Sequence, residues 1–524
     1  MRDIRTARRV LVIALGEATP DLIRPWADQG RLPTVKALMD RGTHGRLRSQ
    51  IPPITPQLWG TIATGRSPGH HGIFDFWQRG PDGRFVEVHG QDLRQPPIWS
   101  LLSERGRPSG ILNVPFTFPP TAIEGFMISG EDAPGPHPSI AAPPALFRET
   151  VDRFGRYGLK DIFPGGRRKS DYLTLIPEDV KKQTDVFEYL LATKRWDFGL
   201  VFYSATAIAQ HYFWSDMTSD DADNPYREVI FDAYRAVDHA VNRLLDVAGP
   251  DTIIFLVSDC GAGPLRYGVH VNNVLEQNGL LKRKRRAAGS GSRSLVRKLR
   301  QSVQGQLNRH DLDRLYYWVN HRLSGMKSWV QSYLSATDID WGGTRAFCRG
   351  KEGDIFINLT GRDRYGIVRP GVEYERVRDQ VIEAFDGLAD PQSGDRAVAR
   401  VHRREELYRG PMLPWAPDLV VEWRDCAYMP TENEKDTDAI FVERWREYMD
   451  WPTSGGHRME GVLIASGPGI RRGGTIEGAR IVDLMPTWLA ALGERLPDGL
   501  EGVVLDTLFE AEGAAGRAVA GDLH

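Results

Sequence analysis

The side chains best suited to chemistry stand where short apolar runs give way to polar residues. Glu17 follows the run 10–15 and Gly16, Asn113 follows Gly110-Ile-Leu, and Asp259 with Cys260 follows Phe255-Leu-Val-Ser. Thr55 precedes Pro56 in Ile-Pro-Pro-Ile-Thr-Pro, His211 opens His-Tyr-Phe-Trp, and His457 ends Thr-Ser-Gly-Gly-His. Carboxylate, imidazole and thiolate are the donors that suit zinc. A hydroxyl or thiol beside imidazole is the combination that makes a nucleophile and its base. Each residue also has a plainer role. Thr before Pro fits a helix N-cap with Pro at the first helical position, and Glu17 suits the positive end of a helix. Asn113 suits a turn before Pro115, and Cys260 suits a small space in a core.

Elements able to bring these residues together are legible in the same runs. Residues 10–15 read as a strand buried on both faces, and 109–114, 198–203 and 252–257 read likewise. Residues 19–41 read as helix with a break at Gly30, and 227–247 carries one apolar face through Ile230, Tyr234, Val237, Val241 and Leu244. Strand alternating with helix predicts a doubly wound α/β fold with a mostly parallel sheet and helices on both faces. In such a fold ligands gather at the carboxyl ends of the strands, which is where the candidate residues lie.

The chain has 524 residues, 41% hydrophobic and 26% charged, with 67 Lys+Arg against 69 Asp+Glu. That is a soluble globular composition and carries no nucleic-acid signature. The balance hides one basic segment: ten Lys and Arg and no acid fall between Lys282 and His310. It leads into an aromatic amphipathic stretch with Tyr316, Trp318, Trp329 and Tyr333. The expected organisation is an α/β core in two parts, 1–282 and 336–524, interrupted by a basic insertion at 283–335. Such an insertion suits a lid or cap, and its basic aromatic character leaves peripheral membrane contact open. Three dispersed cysteines support neither a disulfide framework nor a Cys-rich zinc module. With no signal-peptide pattern and no run of membrane-spanning length, the expectation is a cytoplasmic protein.

Taken in order, further motifs carry a resemblance. They are Gly30-Arg-Leu-Pro33, Pro52-Pro-Ile-Thr-Pro56, Thr64-Gly65, His71-Gly-Ile-Phe-Asp-Phe76, Asn113-Val-Pro-Phe-Thr-Phe-Pro-Pro120 and His211-Tyr-Phe-Trp214. After them come Ser258-Asp259 with Gly261, Ile357-Asn-Leu-Thr-Gly-Arg362, Ala416-Pro-Asp-Leu-Val420, Gly456-His457-Arg458 and Asp483-Leu-Met-Pro-Thr487. Together they resemble the type I phosphodiesterase/nucleotide pyrophosphatase family of the alkaline phosphatase superfamily.

The resemblance implies an alkaline-phosphatase-like fold, two metal ions, usually zinc, and a Thr or Ser nucleophile. Thr55 matches the nucleophile, His211 and His457 match ligands of one metal, and Asp259 matches a ligand of the other. Three expected ligands are missing. Gly16 stands where the family has Asp, with Glu17 one place late; Ala207 stands four residues before His211 in place of Asp; Cys260 replaces His. One metal is then left with two imidazoles and no carboxylate, while Asp259, Thr55, Cys260 and Glu17 are available to rebuild the other. At most one zinc ion is expected, and the residues are equally compatible with none. The first expectation is a remodelled enzyme with Thr55 or Cys260 as nucleophile, His211 or His457 as base, and Asn113 on a substrate oxyanion. Its substrate would be a small molecule such as a phosphate or sulfate ester. The alternatives are an inactive protein with a binding or scaffold role, and a metal-dependent phosphodiesterase with substitute ligands.

Overall fold

The structure is a computed structural model that describes residues 9–80, 83, 85–155, 157, 168–284, 339–350, 353–431, 438–443 and 451–510. A nine-stranded sheet carries the fold. Its strands are β1 (Arg9–Leu15), β2 (Thr43–Arg48), β3 (Ser109–Leu112), β4 (Gly125–Ile128), β5 (Ala141–Ala142), β6 (Phe198–Tyr203), β7 (Thr252–Val257), β8 (Glu460–Ser466) and β9 (Gly474–Arg480). They lie in the order β9-β2-β8-β7-β1-β6-β3-β4-β5. The centre is parallel, with β1 paired to β6 and β7 in register along its length. Antiparallel pairs occur where β8 meets β2 and β7 and where β5 meets β4.

The continuous apolar runs follow from burial on both faces. In β1, Leu11, Ile13 and Leu15 enter one core layer and Val10, Val12 and Ala14 the other. Helices α1 (Pro20–Asp28), α2 (Pro33–Arg41), α4 (Tyr172–Thr193), α5 (Ala205–Met217) and α6 (Val229–Ala248) contribute to the first layer. Helix α3 (Thr55–Thr64) contributes Leu58, Trp59 and Ile62 to the second. The single helix expected over 19–41 is two. Gly30 takes a left-handed conformation with φ +74°, which ends α1, and Pro33 opens α2 at its first position. Strand β3 ends two residues earlier than its apolar run, because Asn113 turns left-handed with φ +60°.

Two of the sequence motifs lock to each other away from the strand ends. Asp418 is fully buried and accepts hydrogen bonds from both terminal guanidinium nitrogens of Arg362 at 2.7 Å, the Tyr374 hydroxyl at 2.8 Å and the Ile357 N–H at 2.7 Å. These bonds join strands Asp354–Ile357 and Leu419–Trp423 of a separate four-stranded sheet. The chain leaves this region at Arg283 and re-enters it at Ile339, which pair as an antiparallel bridge. The segment read as a basic insertion lies, apart from Arg283 and Lys284, outside the described residues. Among the described residues no helix is long and apolar enough to cross a membrane.

His71 has a structural task. It is fully buried, its Nδ1 accepts the Ile73 N–H at 3.2 Å, and its Nε2 donates to Thr61 Oγ1 of α3 at 3.0 Å. Burial, with the charge of His70 adding to it, pushes its pKa down to about 3. The folded state therefore excludes a proton that the unfolded chain takes up below its ordinary value near 6.5. Its contribution is complete above that value and is lost as the pH falls, by about 1.4 kcal/mol per pH unit. Urea denaturation of the wild type and His71→Gln at pH 7.5 and pH 5 checks this: the stability gap between them should narrow at pH 5.

Candidate active site

Three neighbouring central strands deliver the site. Beyond β1 the chain passes Gly16, whose N–H donates to the Tyr203 carbonyl at the end of β6 at 2.8 Å. It then turns at Glu17, which has φ +55° although it is not glycine. A side chain in that conformation costs roughly 1–2 kcal/mol and persists only when its surroundings hold it. The holding bonds are visible. The Glu17 N–H donates to Asp259 Oδ1 at 3.3 Å, and the Glu17 carbonyl accepts Gln210 Nε2 at 2.9 Å. Gln210 Oε1 accepts the Tyr234 hydroxyl at 3.0 Å, and that hydroxyl accepts the Thr19 N–H at 2.9 Å.

So oriented, Glu17 Oε1 lies 3.0 Å from His211 Nε2 and 3.3 Å from His457 Nε2. The imidazole centroids are 5.4 Å apart, and the rings are steeply inclined at 76°. Glu17 is 8% exposed, and its second oxygen, Oε2, is buried with no hydrogen-bond partner. Burial opposes ionisation of this carboxyl, but the two imidazoles outweigh it and hold its pKa well below the usual range. Asp259 shows the opposite shift. Burial, and then the Glu17 charge beside it, push its pKa up to about 6.

The protons indicate what the cluster lacks. His211 Nδ1 faces the Gly455 carbonyl at 3.0 Å, so that nitrogen donates. Its Nε2 then faces a carboxylate and requires a positive partner there, either a second proton or a cation. Glu17, His211 and His457 each present one ligand atom, all within 4.8 Å of one another, and form the one such group found among the described residues. Two imidazoles and one carboxylate, with an orphaned carboxylate oxygen, fit a zinc ion that keeps a coordination position open.

The sequence matches the model of the type I phosphodiesterase/nucleotide pyrophosphatase family over residues 10–450. The chain belongs to this family. Solved structures agree on the fold. Human ectonucleotide pyrophosphatase/phosphodiesterase 5 is 14% identical with a TM-score of 0.51, covering 96% of this chain and all of that one. Its murine counterpart, an inactive variant in complex with AMP, is 12% identical with a TM-score of 0.50, covering 94% and 96%. Phosphonoacetate hydrolase from Sinorhizobium meliloti, in complex with phosphonoformate, is 14% identical with a TM-score of 0.55, covering 93% and 95%. No curated protein sequence matches the chain.

Within the family fold, the candidate residues separate. Glu17 joins His211 and His457 rather than Asp259, Thr55 and Cys260, because the left-handed turn swings its side chain towards α5. The pair of imidazoles expected to lack a carboxylate therefore has one. Asp259 accepts the Glu17 N–H through Oδ1, and its carboxyl group interacts with the charges of Glu17 and His457. Cys260 is 1% exposed and belongs to the apolar layer with Leu58, Trp59 and Val257, outside the cluster. A Cβ on Gly16 would sit 3.1 Å from the Ala207 methyl, so the two positions where the resemblance expects Asp pack against each other. Thr55 is the first residue of α3 and not its cap, which falls one place earlier than expected, on Ile54; Thr55 is half-buried. The segment just before it, Ile51 to Pro53, shares a narrow cleft with His457, Trp423 and Tyr428. Asn113 is buried, and its carboxamide oxygen accepts the Tyr157 hydroxyl.

Gln210 and Tyr234 were not singled out from the sequence. Tyr234 reads as one more residue on the apolar face of its helix, and the only signal for Gln210 is its place beside His211. Gly455 is also required. Its strand, Gly455–Arg458, brings His457 in by pairing with Gly261–Pro264, and a Cβ on Gly455 would meet the Gln210 carbonyl at 2.2 Å. Gly455→Ala must push the strand off α5, at a cost of about 1–3 kcal/mol. The expected result is a lower melting temperature; an unchanged one contradicts the close approach.

Proposed function

We propose that the chain is a hydrolase of small phosphate esters that works with one metal ion, held by Glu17, His211 and His457, and with Thr55 as nucleophile. The observation that carries this reading is the buried Glu17 carboxylate, 3.0 and 3.3 Å from two imidazoles with one oxygen unpartnered. A zinc ion bound there supplies Lewis acidity towards a phosphoryl oxygen. The protein's own residues do the rest. Gly455 fixes the His211 tautomer, and the first turn of α3 offers N–H groups that its own ladder does not consume. Those groups and the helix dipole favour an anionic phosphoryl group beside the Thr55 hydroxyl. Thr55 Oγ1 bonds to phosphorus as the bond to the departing alcohol breaks, the threonine proton passing to that alcohol; water then cleaves the phosphothreonine, restoring the Thr55 hydroxyl and releasing the phosphate.

The AMP held by the murine neighbour and the phosphonoformate held by the Sinorhizobium enzyme support phosphate esters and phosphonates as the compounds to try first. Three cysteines dispersed along the chain, with no framework of closely spaced pairs, support a reducing, cytoplasmic setting. A second reading, binding without turnover, is favoured by the packing of Gly16 against Ala207, which fills the place of two further carboxylates.

Metal analysis of protein purified without chelator, followed by assay on a panel of phosphomonoesters and phosphodiesters, tests the proposal. About one zinc per chain is expected, with turnover lost in Thr55→Ala and little changed in Cys260→Ser. Two zinc ions per chain would restore the conventional two-metal reading. One zinc without turnover of any ester would favour the binding role. No zinc would end the single-metal account.

A further inference from the structure

A glutamate in left-handed backbone can carry its carboxylate in several directions, so something must choose the one that meets His211 and His457. We propose that Asp259 and Gln210 act as a backbone clamp that makes this choice, with Tyr234 locking Gln210. In this arrangement Asp259, the residue the resemblance assigns to a metal, is a positioning residue. The inference rests on the single-metal reading of the site, but it concerns the polypeptide alone.

The clamp engages both sides of one residue. Asp259 holds the Glu17 N–H from the end of β7, and Gln210 holds the Glu17 carbonyl from α5. With the N–H and the carbonyl each tied to a different element, the two peptide planes flanking Glu17 are fixed, and with them φ and ψ. The clamp is itself secured. Tyr234, on α6 and 2% exposed, donates to Gln210 Oε1. That bond leaves the Gln210 amide nitrogen, not its oxygen, facing Glu17. The same Tyr234 hydroxyl accepts the Thr19 N–H, so the chain is pinned again two residues downstream. Thr206 Oγ1 donates to the Gly16 carbonyl at 2.7 Å, one residue upstream. Gln210 precedes His211 in the same helix, so one turn of α5 supplies both an imidazole and the bond that aims the carboxylate at it.

Replacing Asp259 separates a clamp from a ligand. Asparagine keeps an oxygen that accepts the Glu17 N–H but is neutral; alanine keeps neither oxygen nor charge. For a positioning residue, Asp259→Asn should leave the zinc dissociation constant within about threefold of wild type, whereas Asp259→Ala and Gln210→Ala should weaken it about 10–100-fold. Tyr234→Phe, the mildest change, should give an intermediate loss. Zinc itself is the probe, in competition with a chromophoric chelator and with folding checked by circular dichroism. Hydrogen–deuterium exchange of the peptide covering residues 15–18, in metal-free protein, gives a second readout. The Glu17 amide should exchange slowly in wild type and Asp259→Asn and much faster in Asp259→Ala.

Equal loss of zinc affinity in Asp259→Asn and Asp259→Ala would make Asp259 a ligand and overturn the clamp. Wild-type affinity in Gln210→Ala would overturn it as well. If the wild type binds no zinc, the hydrolase reading fails and exchange alone decides the clamp: protection that is the same in wild type and Asp259→Ala overturns it. Should Asp259→Ala not fold, Gln210→Ala and Tyr234→Phe carry the same comparison.

Discussion

A buried carboxylate between two imidazoles is the interaction on which the rest of the candidate site depends. Removing a carboxylate from water is costly unless positive charge or hydrogen bonds replace the lost hydration. At Glu17 only one oxygen receives that compensation from the protein, while the other is buried without a partner. Both imidazoles point a nitrogen at the compensated oxygen. The arrangement is stable when positive charge sits among the three side chains, which is also the condition for holding a metal ion. The strained backbone at Glu17, the bonds that fix it and the close approach of Gly455 to α5 all serve to bring these three groups within reach of one ion.

The fold supplies the convergence. Strands β1, β6 and β7 are adjacent and parallel, so the segments that follow them emerge side by side at one edge of the sheet. The third group, His457, arrives on a separate strand late in the chain. A parallel sheet packed on both faces is a rigid base, and small changes in the turns that leave it can reassign ligands without disturbing the core. In this chain the turn after β1 places Glu17 with His211 and His457. A carboxylate delivered by the first strand partners the imidazole pair that the family pattern would serve from α5, and Ala207 and Gly16 close the space left between them.

Four neighbouring strands at the centre of the sheet were legible in the sequence because burial on both faces writes itself as unbroken apolar runs. Strands β6 and β7 match their runs end to end, and β1 begins one residue sooner. Ends set by backbone conformation were less legible. Asn113 stops β3 by turning left-handed, and the cap of α3 falls on Ile54 rather than Thr55. The candidate residues were legible as types and as strand-end positions. Their grouping was not, because it depends on the φ of a single residue, and glutamate gives no signal for a left-handed turn as glycine or asparagine would. Cys260 shows the converse case: next to Asp259 in sequence, it faces the opposite layer of the core.

The most direct measurement of the central claim is a crystal structure of the protein grown with zinc, with anomalous differences recorded at the zinc edge. The account predicts one peak per chain, about 2.0–2.2 Å from a Glu17 carboxylate oxygen and from the Nε2 atoms of His211 and His457. Two peaks, or a single peak on Asp259 or Cys260 with Glu17 turned away, would contradict it.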